Sequence, residues 1–538
     1  MKQLWLDLLL ILISSVGIAA CGDDSPAASR LPTLAPTRTA VPLSTPTGIP
    51  APDPIQLPAA NWDDLAPFRA AMRPEFAADV DTFAHRNRYT IEAALEFEGS
   101  AAVIRGAERV RYTNRSADTL TEIVFRLYPN LPVLGGRMKI YQAELNGAPV
   151  APILTERDTV LIIPLTTPLD PSDSAEITLT FSTAAEQGIY SSYGEFGFHN
   201  EVFSGPEWYP ALSVYEEGRG WWMTRPTAGG DATYLETGLY DIYLTAPQDF
   251  VIVMSGTEAA LETNARPVGA GQQLHHIVSG PMRDSLLVAS PRFSTITATT
   301  AGGIAVNVYY WPDGELAAQD ALRIGIDALT TFNAAFGPYP FAEFDIVETF
   351  NWTGIEYPGM TVISDRYWEP GNASLENIIV HEVAHQWFYS LVGNNQVEHP
   401  WLDEALASYA EYVYWRTIYG EAHYQAVVEG DRATYTFYME SGAPDMVLDL
   451  PVSAYTPGNN YSLIIYVKGP LFFLELENRL GRDAFQQAIQ LYVTRHYYEI
   501  VTARDMLAAF EDATGADLDA LFYEWVGAFD GLDPAVID

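Results

Sequence analysis

The sequence predicts a multidomain protein: an antiparallel all-β domain over residues 89–297, followed by an α+β, mainly helical domain over residues 298–538. Three observations carry this. Residues 89–297 hold short runs with period-two alternation, among them YTIEAALEFEG, TEIVFRLYP, SAEITLTF and LYDIYLTAP, separated by Gly, Pro, Asn and Asp. After residue 300 the pattern changes: ALRIGIDALTTFNAAFG has helical spacing, FAEFDIVETF reads as a strand, and most of 374–538 reads as helices joined by short loops. With 538 residues, 48% of them apolar, the chain can bury two or three cores.

Two further segments precede these domains. MKQLWLDLLLILISSVGIAACGDD has one cation, an apolar run and small residues leading to Cys21, the only cysteine, which is the pattern of a signal peptide over residues 1–20. Ile18-Ala19-Ala20-Cys21 fits a bacterial lipobox, so Cys21 is the expected lipidation site and the protein is expected outside the cytoplasm, held to a membrane by its lipid. A lone buried thiol is the ordinary alternative. Residues 21–60 are too rich in Pro, Ser, Thr and Ala to bury a core and read as an extended spacer. Residues 61–88 read as a helical lead-in interrupted at Pro74. A single cysteine allows no intramolecular disulfide.

The formal net charge is −40, and Lys2, Lys139 and Lys468 are the only lysines. Such a surface repels phosphate, which argues against nucleic acid as a partner. The sequence leaves the oligomeric state open.

The distinctive chemistry lies in NASLENIIVHEVAHQWFYSLVG, residues 372–393. Ser374 reads as an N-cap, Leu375, Ile378, Ile379 and Val383 as the inward face, and Gly393 as the stop. On such a helix His381 and His385 lie one turn apart on one face, so both imidazoles can reach one zinc ion. Glu382 is rotated about 100° from His381 and flanks the metal without ligating it. Two solvated histidines on a surface helix remain the alternative. Catalytic zinc takes a third protein ligand and keeps an open position. WLDEALASYAEYVYW, residues 401–415, supplies Glu404 near a helix start, nineteen positions after His385, with GNNQVEHP between as the turn. Glu411, seven residues on, lies on the same face and can accept the outer N–H of a zinc histidine; a solvated glutamate is equally compatible. Asp403 reads as a helix cap or an outer partner of the site, and His399 as a loop histidine.

His381, Glu382, His385 and Glu404 together resemble the M1 zinc aminopeptidases, gluzincins with the pattern HExxH, eighteen residues, then Glu. Two further segments follow the family's order. WTGIEYPGM resembles the GxMEN-type strand that lines the cleft, with Gly354 and Glu356 in place; Thr353 stands for the usual first glycine and Tyr357 for the asparagine. An exposed strand edge can pair with an extended peptide and a fixed carboxylate can take up its ammonium, the role implied for Glu356. SLIIYVKGPLFFLEL resembles the family's Tyr-x-Lys-Gly segment, in which the tyrosine, here Tyr466, donates to the oxyanion of the tetrahedral intermediate. Pro470 stands for the common alanine. Lacking an N–H, it fits if Tyr466 to Gly469 form a helix entrance.

The resemblance covers roughly residues 89–538. It implies a saddle-like β domain, a thermolysin-like catalytic domain, one zinc ion per chain, peptide substrates, and an aminopeptidase whose base is Glu382. Two other readings stay in view: a non-catalytic, zinc-containing surface lipoprotein that binds a partner through its β domain, and a hydrolase of the same fold that opens an epoxide.

Overall fold

The computed structural model describes residues 55, 57–58, 61–99, 101–186, 188, 196–227, 229–261, 268–455, 460–529 and 531–532. The 1–20 signal, Cys21 and nearly all of the 21–60 spacer lie outside the described residues. No described helix is long and apolar enough to cross a membrane.

The lead-in forms two 3-10 helices, Pro67–Ala71 and Pro74–Phe83, each begun by a proline whose missing N–H costs nothing there. Residues after it build an all-β region of several sheets. The largest has eight strands and is centred on β1 (Asn87–Glu98) and β2 (Ala101–Thr113), with β3 (Arg137–Leu145), β4 (Ser174–Glu186), β5 (Gly238–Pro247) and β6 (Gln272–Val278) around them. It departs from the antiparallel expectation at one place: β1 pairs with β5 in parallel, Asn87 opposite Gly238 through Ala94 opposite Thr245. A parallel neighbour needs a crossover, and here the chain between the two strands includes the whole of one four-stranded sheet, Ala211–Leu212, Leu120–Arg126, Val160–Leu169 and Ile153–Thr155. Alternation explains the pairing, since Tyr89, Ile91, Ala93 and Leu95 of β1 enter the same core as Ile242 and Leu244 of β5.

The second half opens with a five-stranded sheet in the order β7 (Ser294–Thr299), β8 (Ala305–Tyr310), β9 (Glu343–Thr349), β11 (Met360–Ser364), β10 (Gly354–Tyr357). β10 is thus the edge strand and runs antiparallel to β11. Helices follow: α1 (Glu315–Ala335), inserted between β8 and β9, then α2 (Ala373–Ala384), α3 (Glu404–Tyr419), α4 (Glu421–Glu440) and α5 (Gly469–Leu480). One continuous apolar core joins the lead-in residues Phe68 and Val80 to α1, α2 and α3 through residues such as Phe332, Leu375, Trp387 and Leu406. A smaller core seats the β region on the edge of this sheet, where Val202, Val253, Leu286 and Val288 meet Val347, Tyr357, Met360 and Val362. The order of an all-β region before a mainly helical α+β region is the one the periodicities predict.

Two helix limits differ from the sequence reading. α2 is capped by Asn372, whose side chain accepts from Ser374 N, so the helix begins earlier than an N-cap at Ser374 would allow. It ends at Ala384, well short of Gly393. From His385 the bonds lengthen to the i→i−5 type, with Ser390 N to His385 O at 2.9 Å and Val392 N to Trp387 O at 3.1 Å, and Tyr389 takes φ 139°. A tyrosine is strained there, and the β region holds it: the buried Arg283 donates from Nε to Tyr389 O at 2.7 Å, and the Tyr389 hydroxyl donates to Asp284. Gly393 has a different task, since a Cβ on it would lie 2.0 Å from the Arg283 guanidinium carbon.

Pro470 also departs from expectation. It does not mark a helix entrance, because Tyr461–Leu463, a π segment Ile464–Lys468 and α5 run on without a break. Gly469 N reaches back to Ile464 O, one residue further than an α bond, so the ladder shifts register just before the residue that has no N–H.

Candidate metal centre

The centre is assembled from α2, α3 and the π segment. His381 sits in the last turn of α2 and His385 is its C-cap, one turn on, so both side chains leave the same face. Glu404 is the first residue of α3, capped by Asp403, whose carboxylate accepts from Glu404 N at 2.8 Å. A helix N-terminus suits a carboxylate, and buried α3 residues such as Ala405 and Leu406 press the helix against the core that also holds α2.

Three ligand atoms converge. His381 Nε2 lies 3.1 Å and His385 Nε2 3.3 Å from Glu404 Oε2, and the two Nε2 atoms are 3.2 Å apart. These are the dimensions of one face of a tetrahedron around a cation: ligands at about 2.0 Å from zinc are separated by about 3.3 Å. The tautomers agree. His385 Nδ1 bonds Phe388 O at 2.9 Å, and a carbonyl can only accept, so Nδ1 carries a proton and Nε2 is the atom that faces the centre. His381 Nδ1 is 2.9 Å from Glu411 Oε1, which fixes that ring in the same way.

Electrostatics favour a cation here. Burial opposes charge on His381, yet hydrogen bonds with Glu404 and Glu411 hold its pKa up at about 10. Burial likewise opposes ionisation of Glu404, and the hydrogen bonds from both imidazoles pull its carboxyl well below the usual range. A potential that keeps a proton on a buried imidazole is one that attracts a divalent ion. The donor set, two imidazoles and a carboxylate, is that of a catalytic zinc site with an open fourth position.

Glu382 points to the other side of the centre. Glu356, Glu382 and His385 offer atoms within 4.8 Å of one another, and burial pushes the Glu382 carboxyl up to about 8. Its room is made by Gly354 on the edge strand, where a Cβ would lie 2.4 Å from Glu382 Oε1. The glycine is therefore required by close approach. Glu356 is on the same strand and accepts from Gln396 Nε2 at 3.1 Å. Tyr466 donates its hydroxyl to Glu404 Oε1 at 2.5 Å, and its ring centre is 5.7 Å from that of His381. The structure thus brings His381, Glu382, His385, Glu404, Glu411, Tyr466, Gly354 and Glu356 together at one site; Cys21 lies outside the described residues.

Sequence reasoning passed over several residues that hold this site. Gln386, between the zinc histidine and the strained turn, clamps the end of the edge strand: its Nε2 donates to Tyr357 O and its Oε1 accepts from Gly359 N, both at 2.9 Å. Gln396 joins Glu356 to Thr233 of the β region, whose hydroxyl donates to Gln396 Oε1 at 3.0 Å. Neither glutamine has a spacing signal, because each partner is far away in the chain. His399, read as a loop histidine, bonds Asp449 Oδ1 at 2.6 Å and so belongs to a loop anchor.

A histidine pair and a glutamate from the next helix, flanked by a buried carboxylate and a tyrosyl hydroxyl, make a candidate zinc centre of the HExxH type. Residues 321–525 match the peptidase family M1 domain. It is similar to Aminopeptidase M1-C of Oryza sativa subsp. japonica, 24% identical over 302 residues, which are 53% of this chain and 34% of that protein. To Aminopeptidase N of Lactobacillus helveticus it is 25% identical over 270 residues, 47% of this chain and 32% of the other. The chain spans about a third of the length of these curated relatives. The fold is similar to the crystal structure of a mutant M1 zinc metallopeptidase from Deinococcus radiodurans, with TM-score 0.60 and 18% identity over 84% of this chain and 96% of that one.

Proposed function

We propose that the protein is a zinc-dependent aminopeptidase that removes N-terminal residues from peptides. The observation that carries this is the tetrahedral-face spacing of His381, His385 and Glu404 beside an unligated buried Glu382 and a strand edge ending in Glu356. The named relatives, aminopeptidases all, support it.

His381, His385 and Glu404 would hold one zinc ion per chain. Zinc, when bound there, polarises the scissile carbonyl and makes water acidic enough to be deprotonated near neutral pH. Glu382 takes the proton from the attacking water and delivers it to the departing amine nitrogen. The Tyr466 hydroxyl, which here donates to Glu404, is placed to turn toward the oxygen that gains charge. β10 offers its outer edge to an extended peptide, and Glu356 on that strand accepts from the α-ammonium. Placement outside the cytoplasm, on a membrane through a lipid at Cys21, is the accompanying proposal. It rests on the apolar run and the Ile-Ala-Ala-Cys sequence.

The test compares aminoacyl anilides with their N-acetylated forms, with and without a chelator, in wild type and Glu382→Gln. Chelator-sensitive cleavage of the free-amine series alone is expected, with Glu382→Gln inactive but retaining zinc. Equal rates on acetylated and free substrates would remove the role of Glu356, and full activity of Glu382→Gln would remove the base.

A further inference from the structure

His385 is held from behind by a backbone carbonyl, and that carbonyl lies in a turn that the β region grips. His385 Nδ1 donates to Phe388 O at 2.9 Å. The peptide unit that carries this oxygen ends at Tyr389 N, which donates to Val392 O at 3.0 Å. The next peptide unit presents Tyr389 O, which accepts from Arg283 Nε at 2.7 Å. Only the φ and ψ of Tyr389 separate the two units, so its φ of 139° is what lets one face His385 while the other faces Arg283. A tyrosine keeps such a φ only where its surroundings impose it.

The groups that impose it are firmly mounted. Arg283 and Asp284 are buried and lie in the segment that follows β6. That segment is tied to the eight-stranded sheet: Met282 and Gly238 exchange both backbone hydrogen bonds, at 2.8 and 3.1 Å. The Tyr240 hydroxyl, itself accepting from the Tyr209 hydroxyl at 3.0 Å, donates to Arg283 O at 2.9 Å. The guanidinium donates to Leu235 O at 3.1 Å and to Glu499 O as well, so its place does not depend on the turn alone. Asp284 accepts from the Tyr389 hydroxyl, a second hold on the same residue. Both residues therefore reach the metal ligand through Tyr389.

We propose that Arg283 and Asp284 are positioning residues of the β region that set the affinity and geometry of the metal centre, by fixing Tyr389 so that Phe388 O stays on His385 Nδ1. An outer partner of this kind orients the ring and raises the basicity of the ligating nitrogen. Without the grip Tyr389 relaxes toward negative φ, the Phe388 peptide unit turns, and the bond to Nδ1 is lost. The inference rests on the zinc reading of the site and not on the choice of substrate.

The test uses the full chain as wild type, Arg283→Met, Asp284→Ala, Asp284→Asn and Val253→Ala. Val253 lies in the smaller core that joins the halves, which does not include Tyr389, and so controls for general destabilisation. Zinc affinity is read by competition with a chromogenic chelator, ligand geometry by the visible spectrum of the cobalt(II)-loaded protein, and folding by the melting midpoint of the metal-free chain. Arg283→Met and Asp284→Ala are expected to lower zinc affinity about 10- to 100-fold and to alter the cobalt spectrum. Asp284→Asn keeps an oxygen for the Tyr389 hydroxyl and is expected to stay within about threefold of wild type, as is Val253→Ala. If Arg283→Met does not fold, the two Asp284 variants decide. Unchanged affinity and spectrum in Asp284→Ala, or an equal loss in Val253→Ala or Asp284→Asn, would overturn this proposal alone. A wild type that binds no zinc overturns the zinc reading and this proposal with it.

Discussion

At the scale of single residues, the site depends on groups that touch no substrate. Glu411 accepts from His381 Nδ1 at 2.9 Å, so Glu411→Gln keeps the shape and removes the charge that supports the ligand. Zinc affinity is expected to fall about 10- to 100-fold, read by competition with a chromogenic chelator, with the fold intact; unchanged affinity would show that the contact is idle. Tyr466→Phe removes a hydroxyl whose only described partner is Glu404. If that hydroxyl serves the oxyanion, kcat falls on the order of a hundredfold while zinc stays bound; a change in zinc content without a change in kcat would make it a ligand-positioning group instead.

Among the elements, what was legible follows from local repetition. Period-two runs announced the β region and 3.6-residue spacing announced α1, α2 and α3, because alternation is written wherever one face is buried. His381, His385 and Glu404 were readable because a helix turn and a short connection bring them together. The limits of α2 were not. Val392 and Gly393 look like the end of a helix, but the chain leaves helical geometry at His385 because Arg283 and Asp284, more than a hundred residues earlier, hold the strained Tyr389. Pro470 was misplaced for a related reason: the register shift at Gly469 is set by the packed helix around it and not by the proline alone. Gln396 carried no signal, since its partners Thr233 and Glu356 lie far from it in the chain. Gly393→Ala tests this reading of the turn. A methyl group at 2.0 Å from the Arg283 guanidinium must displace it, so stability is expected to fall by about 1–3 kcal/mol or more in urea unfolding. An unchanged midpoint would show that Arg283 moves freely and clamps nothing.

Across the whole molecule, the two halves are joined by buried polar groups as well as by apolar packing. Arg283 donates to Leu235 O on its own side and to Tyr389 O and Glu499 O across the boundary. Beside it, burial pushes the Asp284 carboxyl up to about 7 from an ordinary 3.8, with the Tyr389 hydroxyl opposing the rise. A raised folded pKa means that the folded protein keeps a proton the unfolded chain has released. The associated stability is present in full below the unfolded value and is lost as pH rises through about 7. Asp284→Asn should therefore lose less stability than wild type between about pH 5 and about pH 8, measured by denaturant unfolding; parallel curves would assign the proton elsewhere. All of this framework holds two imidazoles and one carboxylate a tetrahedral edge apart, and the most direct test is to locate the ion. Anomalous scattering at the zinc edge from crystals of the purified chain is predicted to show one ion about 2.0–2.2 Å from His381 Nε2, His385 Nε2 and a Glu404 oxygen. Zinc bound elsewhere, or a full complement of zinc in Glu404→Ala with no change in affinity, would contradict the account.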